Sequence, residues 1–289
     1  MEKFNRNFAI SIQNFGTTDV LNISPPFTLK FSINRSFFGS PNSARFEIYN
    51  LNEDSRSFIR KDYNDWAFIK GIVFAAGYGE NLSVALRGNV NIGYSERRGT
   101  DWVTIIQAFD GGAGFLNSNI SSSYTKGTSQ GAILRNMAKS LEQYGISVGS
   151  ISPRYDTQRI LRGNSYSGNA LDIMSEISGG GMFVDNEVVN IMSDTEFIEG
   201  EILLVDSSTG LLGAPVREWN NVTFNMLFEP RAYIGQKVRI EIGSREFDGD
   251  YVIRGLNHTG TISDSIGESC TTSIVCSEAK YMTGILPNG

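Results

Sequence analysis

Two stretches of this chain follow one plan, and that plan limits the fold more than any other feature. Residues 70–110 read as a strand, a Gly-marked turn, a strand running into Arg87-Gly88, a polar loop and a long strand. Near the other end, residues 238–242 read as a strand, 243–250 as a turn region and 251–255 as a strand closing on Arg254-Gly255. A polar loop and a strand from Cys270 to Cys276 complete the second stretch. We read these as two copies of one antiparallel β unit. Their identity is low, so the order of strands and turns carries the repeat rather than matched residues.

Around these units the N-terminal part alternates with period two. Phe8, Ile10 and Ile12 share one face, as do Phe27, Leu29, Phe31 and Ile33, and then Ala44, Phe46 and Ile48. Half-buried strands follow from that spacing. Pro25-Pro26 and the run Gly39-Ser40-Pro41-Asn42 read as loops between them. Asn52 caps a short helix in EDSRSFIRKDY, which leads with acidic residues and follows with basic ones. The pattern changes at DGGAG, residues 110–114. Beyond it Ile133, Leu134, Met137, Ala138 and Leu141 recur at helical spacing, with Thr128 or Ser129 as cap and Gly145 as stop. A second helix is predicted in SGNALDIMSEISGGG, and a hairpin turning at Asp185-Asn186 in MFVDNEVVNIM. Strands return after Gly200, at 202–205 and through Val222, Phe224, Met226 and Phe228, while the tail YMTGILPNG carries no clear pattern. The 31 glycines and 7 prolines suit a β-rich chain with many tight turns. The fold class read here is mainly β with an α+β insertion. The expected domains are 1–111, an antiparallel sheet that closes into a barrel or sandwich; 112–197, a small α/β module; and 198–289, a second β domain.

The residues exclude more chemistry than they offer. A net charge of −6 without a Lys/Arg run gives no basic footprint for gripping nucleic acid. No apolar run reaches the ~18 residues of a membrane span, and MEKFNRNFAISIQN lacks a signal core, so neither membrane insertion nor Sec export is expected. The single His258 cannot build a His-rich metal site and reads as structural. Cys270 and Cys276 would share a strand face about 20 Å apart at ~3.3 Å per residue, too far to pair. GNSYS at Gly163 lacks the closing glycine of a nucleophile elbow. AGYGEN at Ala76 reads as a hairpin turn rather than a phosphate loop, and Asp248-Gly249-Asp250 as a tight turn rather than a calcium loop. Arg87-Gly88 and Arg254-Gly255 read as strand ends, not ligand clamps. No catalytic, cofactor-binding or metal residue is assigned, and no cofactor is expected.

Seven segments resemble, in order, the hub proteins of bacteriophage tails, the group similar to the T4 baseplate hub and to the hub part of type VI secretion spikes. They are ARFEIYNLNEDSR (44–56), FAAGYGENLSVALRGNV (74–90), KGTSQGAILRNMAKS (126–140), YSGNALDIMSEISGGGMFVDNEVVNI (166–191), GLLGAPV (210–216), FEPRAYIGQKVRIE (228–241) and GDYVIRGLNHTGTI (249–262). The resemblance implies two tail-tube-like barrels flanking the α/β domain. It implies a homotrimer whose six barrels form a pseudo-sixfold ring, joining a sixfold tail tube to a threefold spike in the virion's tail baseplate. The chain would be assembled in the bacterial host cytoplasm, as a compact hub without an attached spike, lysozyme or fibre region. Expected partners are a tail tube or distal tail protein, a spike or tail-tip protein and the tape measure protein. DNA would pass the lumen unbound, along a neutral or acidic face. No enzymatic activity is expected; the alternative is a soluble β-rich carbohydrate-binding or carbohydrate-processing tail component. Valine at Gly88 or Gly255 is expected to harm assembly more than any single Asp or Glu to Ala change.

Overall fold

The computed structural model describes residues 5–37, 41–62, 69–263, 269–279 and 281–287. The expected loop positions Gly39 and Ser40, and Tyr63 at the end of the first predicted helix segment, lie outside them. Seven strands come first: β1 (Arg6–Asn14), β2 (Val20–Ile23), β3 (Leu29–Ser36), β4 (Ser43–Tyr49), β5 (Lys70–Tyr78), β6 (Asn81–Arg98) and β7 (Asp101–Phe109). Helix α1 (Glu53–Ile59) lies between β4 and β5, and the Asn52 side chain accepts from the Ser55 N–H as its cap. The middle segment holds α2 (Gly112–Asn117), β8 (Asn119–Tyr124), α3 (Gln130–Ser140), β9 (Ser147–Ile151), α4 (Arg154–Thr157), β10 (Asn164–Asn169), α5 (Ala170–Ser178), β11 (Met182–Asp185) and β12 (Val188–Ile191). Ser129 caps α3 and Asn169 caps α5. Then follow β13 (Glu196–Val205), β14 (Leu211–Glu218), β15 (Asn221–Leu227), β16 (Gln236–Ile240), β17 (Gly249–Ile262), β18 (Cys270–Glu278) and β19 (Thr283–Ile285). β19 falls in the tail, where the sequence shows no pattern.

The chain is mainly β, and one fourteen-stranded sheet holds both ends of it. The same strand order occurs twice in that sheet. The first half runs β3-β4-β7-β6-β5-β1 and the second runs β14-β15-β18-β17-β16, with β13 next to β16. The hydrogen-bonded registers match as well. Ser43 faces Phe109 where Asn221 faces Ser277, so Phe46 takes the place of Phe224, Ile106 that of Ile274 and Ala108 that of Cys276. All six are buried. One pairing differs: β1 lies antiparallel to β5, whereas β13 lies parallel to β16. Among the described residues the strands do not close into a barrel within one chain. The sheet instead curls over two apolar clusters and ends at β2 and β14.

Each unit turns on one long strand. β6 pairs β5 with its first half and β7 with its second, and β17 pairs β16 early and β3 late while β18 follows it throughout. A one-residue bulge bends each of them, at Asn91 in β6 and at Arg254 in β17. Strand and loop were expected on either side of Arg87-Gly88 and Arg254-Gly255. Both strands instead run straight on, so neither glycine ends a strand. The bulges also align Gly255 with Ile92, four residues beyond Gly88, so the two Arg-Gly pairs are not equivalent. The polar run after Gly88 imitates a loop because bulge and bend interrupt the alternation.

Three apolar clusters organise the chain. The first lies under β1–β7 but also takes Phe228, Ile262 and Cys270 from the second half. The second lies under β13–β18 and takes Phe37 from the first half and Phe183 from the middle segment. The third packs α3 and α5 on β9, β11 and β12. β17 joins the first two, since its residues Gly255 to Ile262 pair with Ser36 to Leu29 of β3.

The glycines separate cleanly. A Cβ on Gly88 would sit 2.4 Å from the Phe109 carbonyl oxygen, while one on Gly255 would meet nothing nearer than Val275 Cβ at 3.5 Å. Gly88→Val is expected to lower stability by roughly 1–3 kcal/mol through forced backbone displacement. Gly255→Val should stay within ~0.5 kcal/mol of the parent. Thermal melting of the two variants side by side checks this.

Candidate functional site

A buried polar junction links the first half, the middle segment and the second half. It begins with Arg35, the next inward position of β3 after Phe31 and Ile33, where alternation would place another apolar residue. Its guanidinium grips the Asp185 carboxylate with both nitrogens of one edge, at 2.7 and 2.6 Å, and reaches the Ala232 carbonyl at 3.1 Å. Such a bidentate pair fixes orientation as well as charge. Asp185 also accepts from the Ile234 N–H at 3.3 Å.

The hairpin that presents Asp185 is displaced by one residue from the expected turn. Asp185 pairs with Val188, so the turn residues are Asn186 and Glu187, with φ of 55° and 59°. Positive φ at both positions is the type I′ geometry. The turn aims its two amides at Asp110, whose carboxylate accepts from Asn186 N–H at 2.5 Å and Glu187 N–H at 2.7 Å. Asn42 Nδ2 donates to the same carboxylate at 3.1 Å and to the Val184 carbonyl at 2.8 Å. Asn186 Oδ1 in turn accepts from the Arg87 N–H at 2.9 Å. Asp110, read in the sequence only as the start of a boundary, is thus an anchor between the first half and the middle segment. A signal for it was available: an acidic residue directly after the long apolar strand β7, ahead of Gly111-Gly112.

Burial pushes the Asp110 carboxyl up to about 7, helped by the neighbouring charge of Asp185 and opposed by the amide and Asn42 donors. His258 has no exposed surface and burial lowers it to about 3, so it stays neutral. The Thr272 hydroxyl oxygen accepts the Glu229 N–H at 2.9 Å and is hydrogen-bonded to His258 Nδ1 at 2.9 Å. This is a core position, as expected for a lone histidine. Arg254, the bulge residue of β17, donates to the carbonyls of Asp194 and Glu196 at 2.7 and 3.1 Å and stacks 4.5 Å over Phe37. Burial lowers it to about 10.

The remaining sequence candidates are spent on structure. Asp250 is held down to about 2, chiefly by the Arg239 guanidinium, and Asp248 accepts from the Ile242 N–H at 2.7 Å. Cys270 and Cys276 are buried and not in a disulfide, one in each of the first two clusters. Gly79, with φ 59°, turns the β5–β6 hairpin where a phosphate loop was considered. Asn164 to Ser167 of GNSYS form part of β10 against β8. Among the described residues no three His, Cys, Asp or Glu side chains are grouped to hold a metal. A cleft of about 630 Å³ lies between Phe37, Asp194, Asn220, Arg254, Glu278 and Tyr281.

Two measurements probe the junction. Arg35→Ala leaves the Asp185 charge buried without its cation and should cost roughly 3–5 kcal/mol, read by denaturant unfolding. For Asp110 the folded state holds a proton more tightly than the unfolded chain, near 3.8. Its stabilisation is complete below 3.8 and is lost as pH rises through about 7. His258 has the opposite sign, because its folded value lies below 6.5. A difference measurement removes it: the melting temperature of Asp110→Asn minus that of the parent should grow from about pH 4 to about pH 8.

No protein-family model matches the chain, and no curated protein is similar in sequence. Solved structures are similar in fold. The tail protein from Neisseria meningitidis MC58 matches with a TM-score of 0.61 at 11% identity, over 95% of this chain and 98% of that one. The 43 kDa tail protein of prophage MuSo2 from Shewanella oneidensis matches with 0.59 at 10%, again over 95% and 98%. The E. coli c3393 protein, described as a type VI secretion component with structural similarity to T4 tail proteins gp27 and gp5, matches with 0.58 at 9%, over 94% and 78%. Over nearly its whole length, the chain shares the fold of these tail and type VI secretion proteins.

Proposed function

We propose that this protein is a structural hub of a phage tail. Three copies form a ring of pseudo-sixfold symmetry that joins a sixfold tube to a threefold spike and surrounds the DNA path. The observation that carries the reading is the doubled strand order β3-β4-β7-β6-β5-β1 and β14-β15-β18-β17-β16-β13 in one sheet. A chain with two like units offers six like units when three copies close, yet only threefold identity elsewhere. On this reading the division is 1–111, 112–197 and 198–289, with the middle module outside the ring. Its neighbours are a tube or distal tail protein, a spike or tip protein and the tape measure protein, in the virion tail. The charge of −6 suits a bore whose walls are neutral or acidic, past which phosphates slide.

The carbohydrate-processing alternative would use the cleft beside Arg254, where Asp194 and Glu278 supply carboxylates. Hydrolysis of peptidoglycan or host-surface glycan by the purified protein would favour it over the structural role. Native mass spectrometry is expected to give three chains, and class averages down the symmetry axis six similar lobes about an opening. A monomer at all concentrations, or a ring with Lys and Arg around its bore, would overturn the respective parts of the reading.

A further inference from the structure

The contact between the two copies inside one chain is a template for contact between chains. Within the chain, β3 of the first copy lies along the second half of β17, with Ser32 opposite Thr259 and Asn34 opposite Asn257. The counterparts of these two edges are β14 and the second half of β6. Both edges lack a ladder partner among the described residues. β14 pairs only β15 and ends the sheet. Tyr94 to Arg98 of β6 pair only β7, the one further bridge being Gly93 to Lys61.

The two edges also look like places awaiting a strand. β14 shows Val216 at 58% and Leu212 at 39% exposure, apolar side chains on an open edge that would otherwise invite uncontrolled pairing. Beside the second half of β6, Tyr94 and Trp102 are 38% and 40% exposed. They face a cleft of about 570 Å³ whose other wall is Glu53, Arg56 and Arg60, in and just after α1. In the second copy β3 lies along the matching edge.

We infer that β14 of one chain adds antiparallel to residues 94–98 of β6 in a second copy. The register follows from the equivalences. Val216 stands opposite Thr223 as Ser32 stands opposite Arg45, and Glu96 opposite Val103 as Thr259 stands opposite Thr271. Val216 therefore meets Glu96 of the neighbour, and Glu218 meets Tyr94. Each copy offers one edge of each kind, so the contact is head-to-tail and propagates around a ring. Closure at three rests on the hub reading; the strand pairing itself does not.

Directly opposed residues of antiparallel strands have Cα atoms ~4.5–5.5 Å apart, within disulfide range. The native cysteines are buried and do not compete. The full chain carrying Val216→Cys and Glu96→Cys, mildly oxidised, should run as a covalent trimer on a non-reducing gel. Equimolar single variants should give covalent dimers when mixed and none apart. The pair Val216→Cys with Val20→Cys, on β2 at the far end of the sheet, should stay uncrosslinked. A native trimer without the Val216–Glu96 crosslink overturns the pairing and leaves the hub reading standing. A crosslinked ladder running past three supports the pairing and overturns threefold closure. Crosslinking through Val20→Cys instead, or a monomer throughout, overturns the pairing.

Discussion

The structure depends on one ion pair placed at the junction of the first half, the middle segment and the second half. Arg35 reaches from β3 to Asp185 of the middle hairpin and to the Ala232 carbonyl of the second half. A salt bridge this deeply buried adds little net stability, because both charges lose their water. What it supplies is uniqueness. An arginine on the inward face of an apolar strand tolerates very few arrangements of its surroundings, and the observed one satisfies it from two sides. Asp110 applies the same principle one step away, held by the two amides of a type I′ turn.

That junction also explains why the middle segment is more than an insertion. Its hairpin brings Asp185, Asn186 and Glu187 to bear on β3, β6 and the end of β7. The helices behind it, α3 and α5, pack on their own strands. Without the hairpin Arg35 would lose its carboxylate partner and Asp110 two of its amide donors. The middle segment therefore completes the core of the first copy as well as its own.

Much of the local structure was legible in the residues. Period two marks β1, β3, β4 and β15, and the cap at Asn52 and one at Thr128 or Ser129 are legible from side chains that fit helix starts, whereas the Asn169 cap appears only in the structure. Two of the failures share a cause. β6 and β17 were each read as a strand followed by a loop, because a bulge at Asn91 or Arg254 breaks alternation without ending the ladder. The parallel pairing of β13 with β16, and the β3–β17 seam, join residues far apart in the chain and leave no local pattern. The turn at Asn186-Glu187 was misplaced by one residue, enough to hide the role of Asp185. Arg35 was the available warning, since the inward face it shares with Phe31 and Ile33 made its charge an anomaly in need of a partner.

β17 belongs to both copies at once, and this has a mechanical consequence. Two bodies that meet only through side chains can slide or rock with modest loss. Here a single covalent backbone runs out of one body and forms part of the wall of the next, stitched to β3 from Gly255 to Ile262. A load along that strand is borne in shear by many hydrogen bonds together rather than peeled apart one by one. The two copies within one chain therefore resist sliding past each other along that strand.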